Sequence, residues 1–192
     1  MHTDSPMYRL FFLPLLLLLA CADNPPTTPE TRPVENPNAG NTAIYDVDED
    51  DPYEIGDGSF LDMRPGDPLA PFTAFLHAGQ LTDGEGTFDI FYIAGRRDDT
   101  LGYVYSSDGS TVESIFINSP DAVTQQGIRV GNTVAELRER LGKLELYGTE
   151  IEARAYASKP PFRYRLGTTA APGPIDSAAL DPATEVVEII IE

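Results

Sequence analysis

Residues 127–142 read GIRVGNTVAELRERLG, and residues 62–77 read DMRPGDPLAPFTAFLH. At an offset of 65, Arg64 meets Arg129, Gly66 meets Gly131, Ala70 meets Ala135 and Leu76 meets Leu141, with Asp67 against the chemically similar Asn132. In the later stretch, Ile128 and Val130 end a short strand and Gly131 turns the chain. Asn132 or Thr133 then caps a helix by accepting from its first-turn amides. Thr133 with Glu136 three residues on is a capping box. Val134, Leu137 and Leu141 recur at helical spacing on one apolar face, and Gly142 suits the helix end. The earlier stretch reads as a second helix, with Asp67 as cap and Pro68 at the first helical position. Leu69, Phe72, Phe75 and Leu76 form its apolar face, and Pro71 falls in its first turn.

Strand-like runs follow each stretch. After the first come GTFDIFYIAG, LGYVYSSDG and TVESIFI; after the second come IEARAYAS, FRYRLG and EVVEIII. TFDIFYI alternates as a half-buried strand does. At an offset of 74, Val112, Ile115 and Ile117 meet Val186, Ile189 and Ile191. The drift between offsets places an insertion in the polar, Pro-rich stretch 168–182. The expected fold class is therefore α+β: two similar units of strand, helix and antiparallel sheet, residues 58–120 and 121–192, behind a disordered tether.

The pattern Ile128, Val130, Gly131, Thr133, then Leu137, Leu141 and Gly142, resembles the small envelope lipoproteins of the SmpA/OmlA (BamE-like) family. There a short helix ending in Leu-Gly precedes an antiparallel sheet. The tandem arrangement is similar to that of secreted β-lactamase-inhibitory proteins. The first copy departs from the motif, with Pro68 in place of Thr and His77 in place of the final Gly. The resemblance implies protein binding or envelope assembly through a sheet face or loops, and it carries over no catalytic residue.

The N-terminus speaks to location. YRLFFLPLLLLLAC places Arg9 before an apolar run, Leu10 to Ala20, that ends at Cys21. A helix needs about 20 apolar residues to cross a bilayer, so this shorter run fits the core of a signal peptide, residues 1–20. A start at Met7 in place of Met1 would remove Asp4, which offsets Arg9. LLAC, Leu18 to Cys21, resembles the lipobox of bacterial lipoproteins. That resemblance implies cleavage before Cys21, acylation of its thiol and acylation of the new N-terminus. Ala22, where inner-membrane lipoproteins often carry Asp, favours the outer membrane. Cys21 is the only cysteine, so the chain forms no intramolecular disulfide. Acyl chains contribute about 0.8 kcal/mol per buried methylene, enough together for stable anchoring.

Residues 21–57 are rich in Pro, Asn, Thr and Asp and lack apolar periodicity, the composition of an extended tether. Fully stretched, it reaches roughly 120 Å. The chain carries a formal charge of −18. Residues 22–60 hold ten acids against Arg32 alone, and the remaining acids dominate 61–192. Nucleic acid and anionic lipid surfaces repel such a chain; basic partners are attracted, and solubility alone also explains the charge.

Chemistry-bearing motifs are sparse. Asp46, Asp48, Asp50, Glu54 and Asp57 partly imitate a calcium loop. The required glycine is Asp51 and the next residue Pro52, so a solvated acidic tether is the preferred reading. With His2 ahead of the cleavage point, His77 stands alone, and no zinc spacing or nucleophile elbow is present. His77 reads as a surface residue or a dipole partner at the end of the first helix. No metal, cofactor or catalytic residue is assigned. Tyr92, Tyr103, Tyr105, Tyr156 and Tyr164 line either a binding face or the core. KPPFRYR offers Lys159, Arg163 and Arg165 as a contact surface, with 163 and 165 on one face by strand alternation. The expected function is a non-enzymatic, membrane-anchored envelope lipoprotein that binds another protein or supports assembly. A small-ligand or carbohydrate-binding lipoprotein comes second, and a hydrolase with paired carboxylates third.

Overall fold

The computed structural model describes residues 53–97 and 99–192. The signal segment, the choice between Met1 and Met7, Cys21, the calcium-like Asp46, Asp48 and Asp50, and the tether up to residue 52 lie outside the described residues. Among the described residues, no helix is long and apolar enough to cross a membrane.

The chain is predominantly β. In order come β1 (Tyr53–Gly56), β2 (Ser59–Phe60), β3 (Leu76–Asp83), β4 (Gly86–Ala94), β5 (Thr100–Tyr105), β6 (Ser114–Ile117) and β7 (Ala122–Thr124). The helix α1 (Val134–Leu141) follows, then β8 (Glu145–Gly148), β9 (Arg154–Lys159), β10 (Phe162–Thr169), β11 (Gly173–Pro174) and β12 (Val186–Ile191). One sheet has the order β2-β1-β7; the other has nine strands in the order β11-β8-β9-β10-β12-β6-β5-β4-β3.

This corrects the α+β expectation. The two halves do not form two strand-helix-sheet units; their strands join in one nine-stranded antiparallel sheet, and the described residues contain a single α-helix. In the first half, the expected helix is only a 3-10 turn, Ala70–Phe72. Pro68 and Pro71 remove two amide donors there, and the chain is claimed by the sheet before a second turn can form. Ala94 N–H donates to the Phe75 carbonyl at 2.9 Å, and Leu76 and His77 already belong to β3. Residues 53–56, assigned from sequence to the tether, form β1, with Tyr53 and Ile55 buried.

What the halves share is a turn. Gly66 N–H donates to Val112 O (2.7 Å) and Gly131 N–H to Val186 O (2.8 Å). Val112 N–H answers to Asp67 O and Val186 N–H to Asn132 O, each at 2.8 Å. The side chain of Asp67 accepts from Arg64 N–H (2.8 Å), and that of Asn132 from Arg129 N–H (2.7 Å). Gly66 and Gly131 have φ of 94° and 95°, a region that disfavours a Cβ. The sheet repeats this relation. Phe116 and Ile190, 74 residues apart, stand directly opposite each other where β6 and β12 pair. The strand order outward from that pair is β5-β4-β3 on one side and β10-β9-β8 on the other, about an approximate two-fold axis.

Adjacent rows across the sheet face opposite ways. The row Leu146, Ala157, Tyr164, Ile189, Ile117, Gly102, Ile93 and Leu76 faces the main core. Val134 and Leu137 of α1, Ile128, Phe60, Met63 and Ile55 belong to the same core, all fully buried. Each large apolar side chain buried this way contributes about 1.5–3 kcal/mol. The neighbouring row, Ser158, Arg163, Ile190, Phe116, Tyr103, Tyr92 and His77, lines the other face.

The sheet curls toward that second face. Arg154 on β9 bonds Asp83 at the tip of β3 (3.2 Å), although five strands separate β9 from β3. Gly84 N–H donates to Glu152 Oε1 at 3.0 Å across the same gap.

Candidate functional site

Among the described residues, the inner face of the curl, the outer edge of β3 and a cleft beside the β9–β10 turn hold side chains or backbone groups with something to offer a partner.

The inner face gathers four of the five tyrosines named from sequence. Tyr92, Tyr103 and Tyr105 come from neighbouring strands and Tyr156 from β9, whereas Tyr164 turns into the main core. Tyr103 stacks on Phe116 with ring centres 4.5 Å apart, and Tyr147 on Tyr156 at 5.6 Å. Arg163 and Arg165 share this face, as alternation requires, and Arg163 lies 4.8 Å above the Tyr156 ring. Both guanidiniums have carboxylates: Arg163 pairs with Glu192, and Arg165 with Glu188 at 3.1 Å. Glu188 is 4% exposed. Burial pushes its carboxyl above the ordinary glutamate range, against the pull of Arg165 and Arg154. Burial likewise pushes the Tyr103 phenol up. These pairings leave the middle of the inner face a half-buried polar and aromatic patch that opens to solvent at Tyr92 and His77. Lys159 is not part of it; it sits at the end of β9, facing elsewhere.

Asp83 and Glu152 both bind Arg154, which makes them a clamp across the curl. Asp108 accepts from the backbone of Ser110 and Thr111 and from Ser106, contacts that hold its carboxyl well below the usual range and fix a tight turn. No group of three or more His, Cys, Asp or Glu able to hold a metal occurs among the described residues.

The edge of β3 was invisible in sequence, because residues 76 and 77 were read as helix. The bond from Ala94 to Phe75 sets the phase of the β3–β4 ladder. Bonds to β4 then fall at 77, 79 and 81, while Leu76, Ala78, Gln80 and Thr82 turn their N–H and C=O outward. Among the described residues no strand pairs with that side. Tyr92, 37% exposed, lies across Gly79 and donates to the Gln80 carbonyl at 3.1 Å. The opposite edge is β11, two residues long and ending in Pro174, a blunted edge.

The cleft has a volume of about 380 Å³. It lies between the end of α1, the β1–β2 turn at Asp57, the turn at Gln125 and Gln126, and the β9–β10 turn where Lys159 stands. The capping box fixes α1: Thr133 N–H donates to Glu136 Oε2 (2.6 Å), and Glu136 N–H to Thr133 Oγ1 (3.3 Å). The helix thereby delivers Arg140 and Leu141 to the cleft wall. Sequence patterns single out Lys159 and, separately, Tyr164, but not their meeting with Asp57, Gln125, Gln126, Arg140 and Leu141, which arrive from three other segments.

Neither a protein-family model nor a curated protein matches the chain. Among solved structures, the uncharacterized protein yfeY from Escherichia coli superposes with a TM-score of 0.51 at 15% identity, over 72% of this chain and 99% of that one. At that identity the likeness shows the fold alone.

Proposed function

We propose that the protein is a non-enzymatic envelope lipoprotein, anchored through Cys21 and favouring the outer membrane, whose β domain docks an extended, basic segment of another envelope protein on β3. The anchoring part rests on the sequence LLAC at 18–21. The docking part rests on one observation: β3 is an eight-residue edge strand with four outward-facing backbone positions and no lysine, arginine or proline to protect it. Strand addition at such an edge draws its affinity from main-chain bonds. A formal charge of −18, with Asp83 and Asp89 on β3 and β4, favours a basic strand.

Two variants test the parts separately. Cys21→Ala abolishes labelling by a fatty-acid analogue and releases the protein from membranes; continued labelling refutes the anchor. Ala78→Pro removes an outward amide without breaking a bond to β4. It leaves the melting temperature nearly unchanged and abolishes crosslinking to the partner in native membranes. Recovery of no protein partner, or an unchanged crosslink in Ala78→Pro, defeats the docking reading.

A further inference from the structure

We infer that the cleft beside the β9–β10 turn binds a small organic anion, a carboxylate carried on an apolar body. One side of the cleft is apolar: Ile55 from β1, Leu141 from the end of α1, and Phe162 from β10. The other side is polar, with Lys159 and Arg140 against the single carboxylate of Asp57. Glu136 already meets the charge of Arg140, so Lys159 is the cation the cleft offers an anion, on a chain of −18. Arg140 is held in place by Gly127 O and by Glu136 at 3.7 Å. Lys159 has no ion pair among the described residues and is exposed. The side-chain amides of Gln125 and Gln126 supply further donors at the rim.

The independent sign of a ligand is Tyr164, which lines the same cleft. Its side chain is 0% exposed, and its hydroxyl has no hydrogen-bond partner. A buried hydroxyl without a partner is costly and uncommon, and it calls for a group that completes it. Burial pushes its phenol up, so the hydroxyl keeps its proton at neutral pH and is a donor seeking an acceptor. An anion's oxygen fills that need once the groups covering the hydroxyl part, while Lys159 balances the charge and the apolar body meets Leu141 and Phe162. The volume lies within the roughly 300–1,000 Å³ of ligand sites. This inference does not rest on strand docking at β3, which is formed by other residues.

The test is a titration of the full-length lipoprotein in micelles, carrying ¹³C-labelled tyrosine, with hexanoate and, in a parallel arm, hexylammonium. Hexanoate shifts the Tyr164 resonance saturably and hexylammonium does not. Lys159→Glu weakens hexanoate binding by roughly tenfold or more, as loss of a paired charge does, whereas Lys143→Glu, the same charge change outside the cleft, has little effect. Tyr164→Phe keeps the fold, read from the unlabelled protein's near-ultraviolet circular dichroism, and weakens binding several-fold by calorimetry. Ala78→Pro leaves hexanoate affinity unchanged. The inference is overturned by the absence of a saturable shift, by equal binding of hexylammonium, by equal effects of the two lysine variants, or by undiminished affinity in Tyr164→Phe.

Discussion

Two glutamates respond to pH in opposite directions because their surroundings differ. Glu188 is an acid set among isoleucines on β12, opposite Arg165. Burial raises its pKa despite the arginine, so the folded protein holds that proton more tightly than the unfolded chain does. The stability it adds is complete below the ordinary glutamate value of about 4.3 and is lost as pH rises through the higher folded value. Glu136 is the reverse case. The Thr133 amide lowers its pKa, so its contribution is complete above the ordinary value and disappears as pH falls through the folded one. Denaturant melts across pH separate them. Relative to wild type, Glu188→Gln gains stability as pH rises out of the acid range, while Glu136→Gln loses it. Parallel curves for wild type and Glu188→Gln would show that Arg165 cancels the burial. Alternation in FRYR sufficed to place Arg163 and Arg165 on one face. Their carboxylate partners lay beyond local reading, because Glu188 on β12 and Glu192 just after it are 23 and 29 residues further on.

At the level of elements, the shared turn was readable and its sequel was not. Gly66 and Gly131 mark the same backbone geometry, and both sit where a Cβ is strained but meets no atom within 4 Å. Alanine at either position costs about 1 kcal/mol, by backbone strain and not by collision. Thr133→Ala costs about 1 kcal/mol more through the lost cap, a contribution that Pro68 cannot make in the first half. Urea unfolding of the three variants checks this; a silent Gly66→Ala beside a costly Gly131→Ala would make the turns unequal in energy despite their equal bonding. After the turns, the halves diverge. The second has a capping box and a run of good helix formers; the first has Pro68, Pro71 and a strand waiting at Leu76. Apolar residues at 69, 72, 75 and 76 fit a helical face by spacing alone, and only the pairing of Phe75 with Ala94 decides against it. β8 was missed for a similar reason: four residues after a helix give too short a pattern to distinguish from a loop.

For the molecule as a whole, joining both halves into one sheet creates a problem of ends. A long sheet with a free edge tends to twist open, and its β3–β4 hairpin projects beyond the strands beneath it. Arg154 answers by reaching Asp83, while Glu152 reaches both Arg154 and Gly84 N–H. The Arg154 and Asp83 side chains are 25% and 15% exposed, so the pair lies between surface and buried regimes. Such a pair is worth about 1–2 kcal/mol, more than an exposed bridge and less than a fully buried one. Arg154→Met therefore lowers stability by about 1–2 kcal/mol, partly by leaving two carboxylates facing each other. Its particular signature is local. Amide exchange at Gly84 and along the β3–β4 tip accelerates well before exchange in β6 and β12, at the centre of the sheet. A double-mutant cycle with Asp83→Asn gives a coupling of about 1 kcal/mol, because the 71-residue separation leaves the fold as the only thing joining them. If Gly84 exchanges no faster in Arg154→Met, the twist of the ladders alone sets the curl, and the clamp is a consequence of the shape.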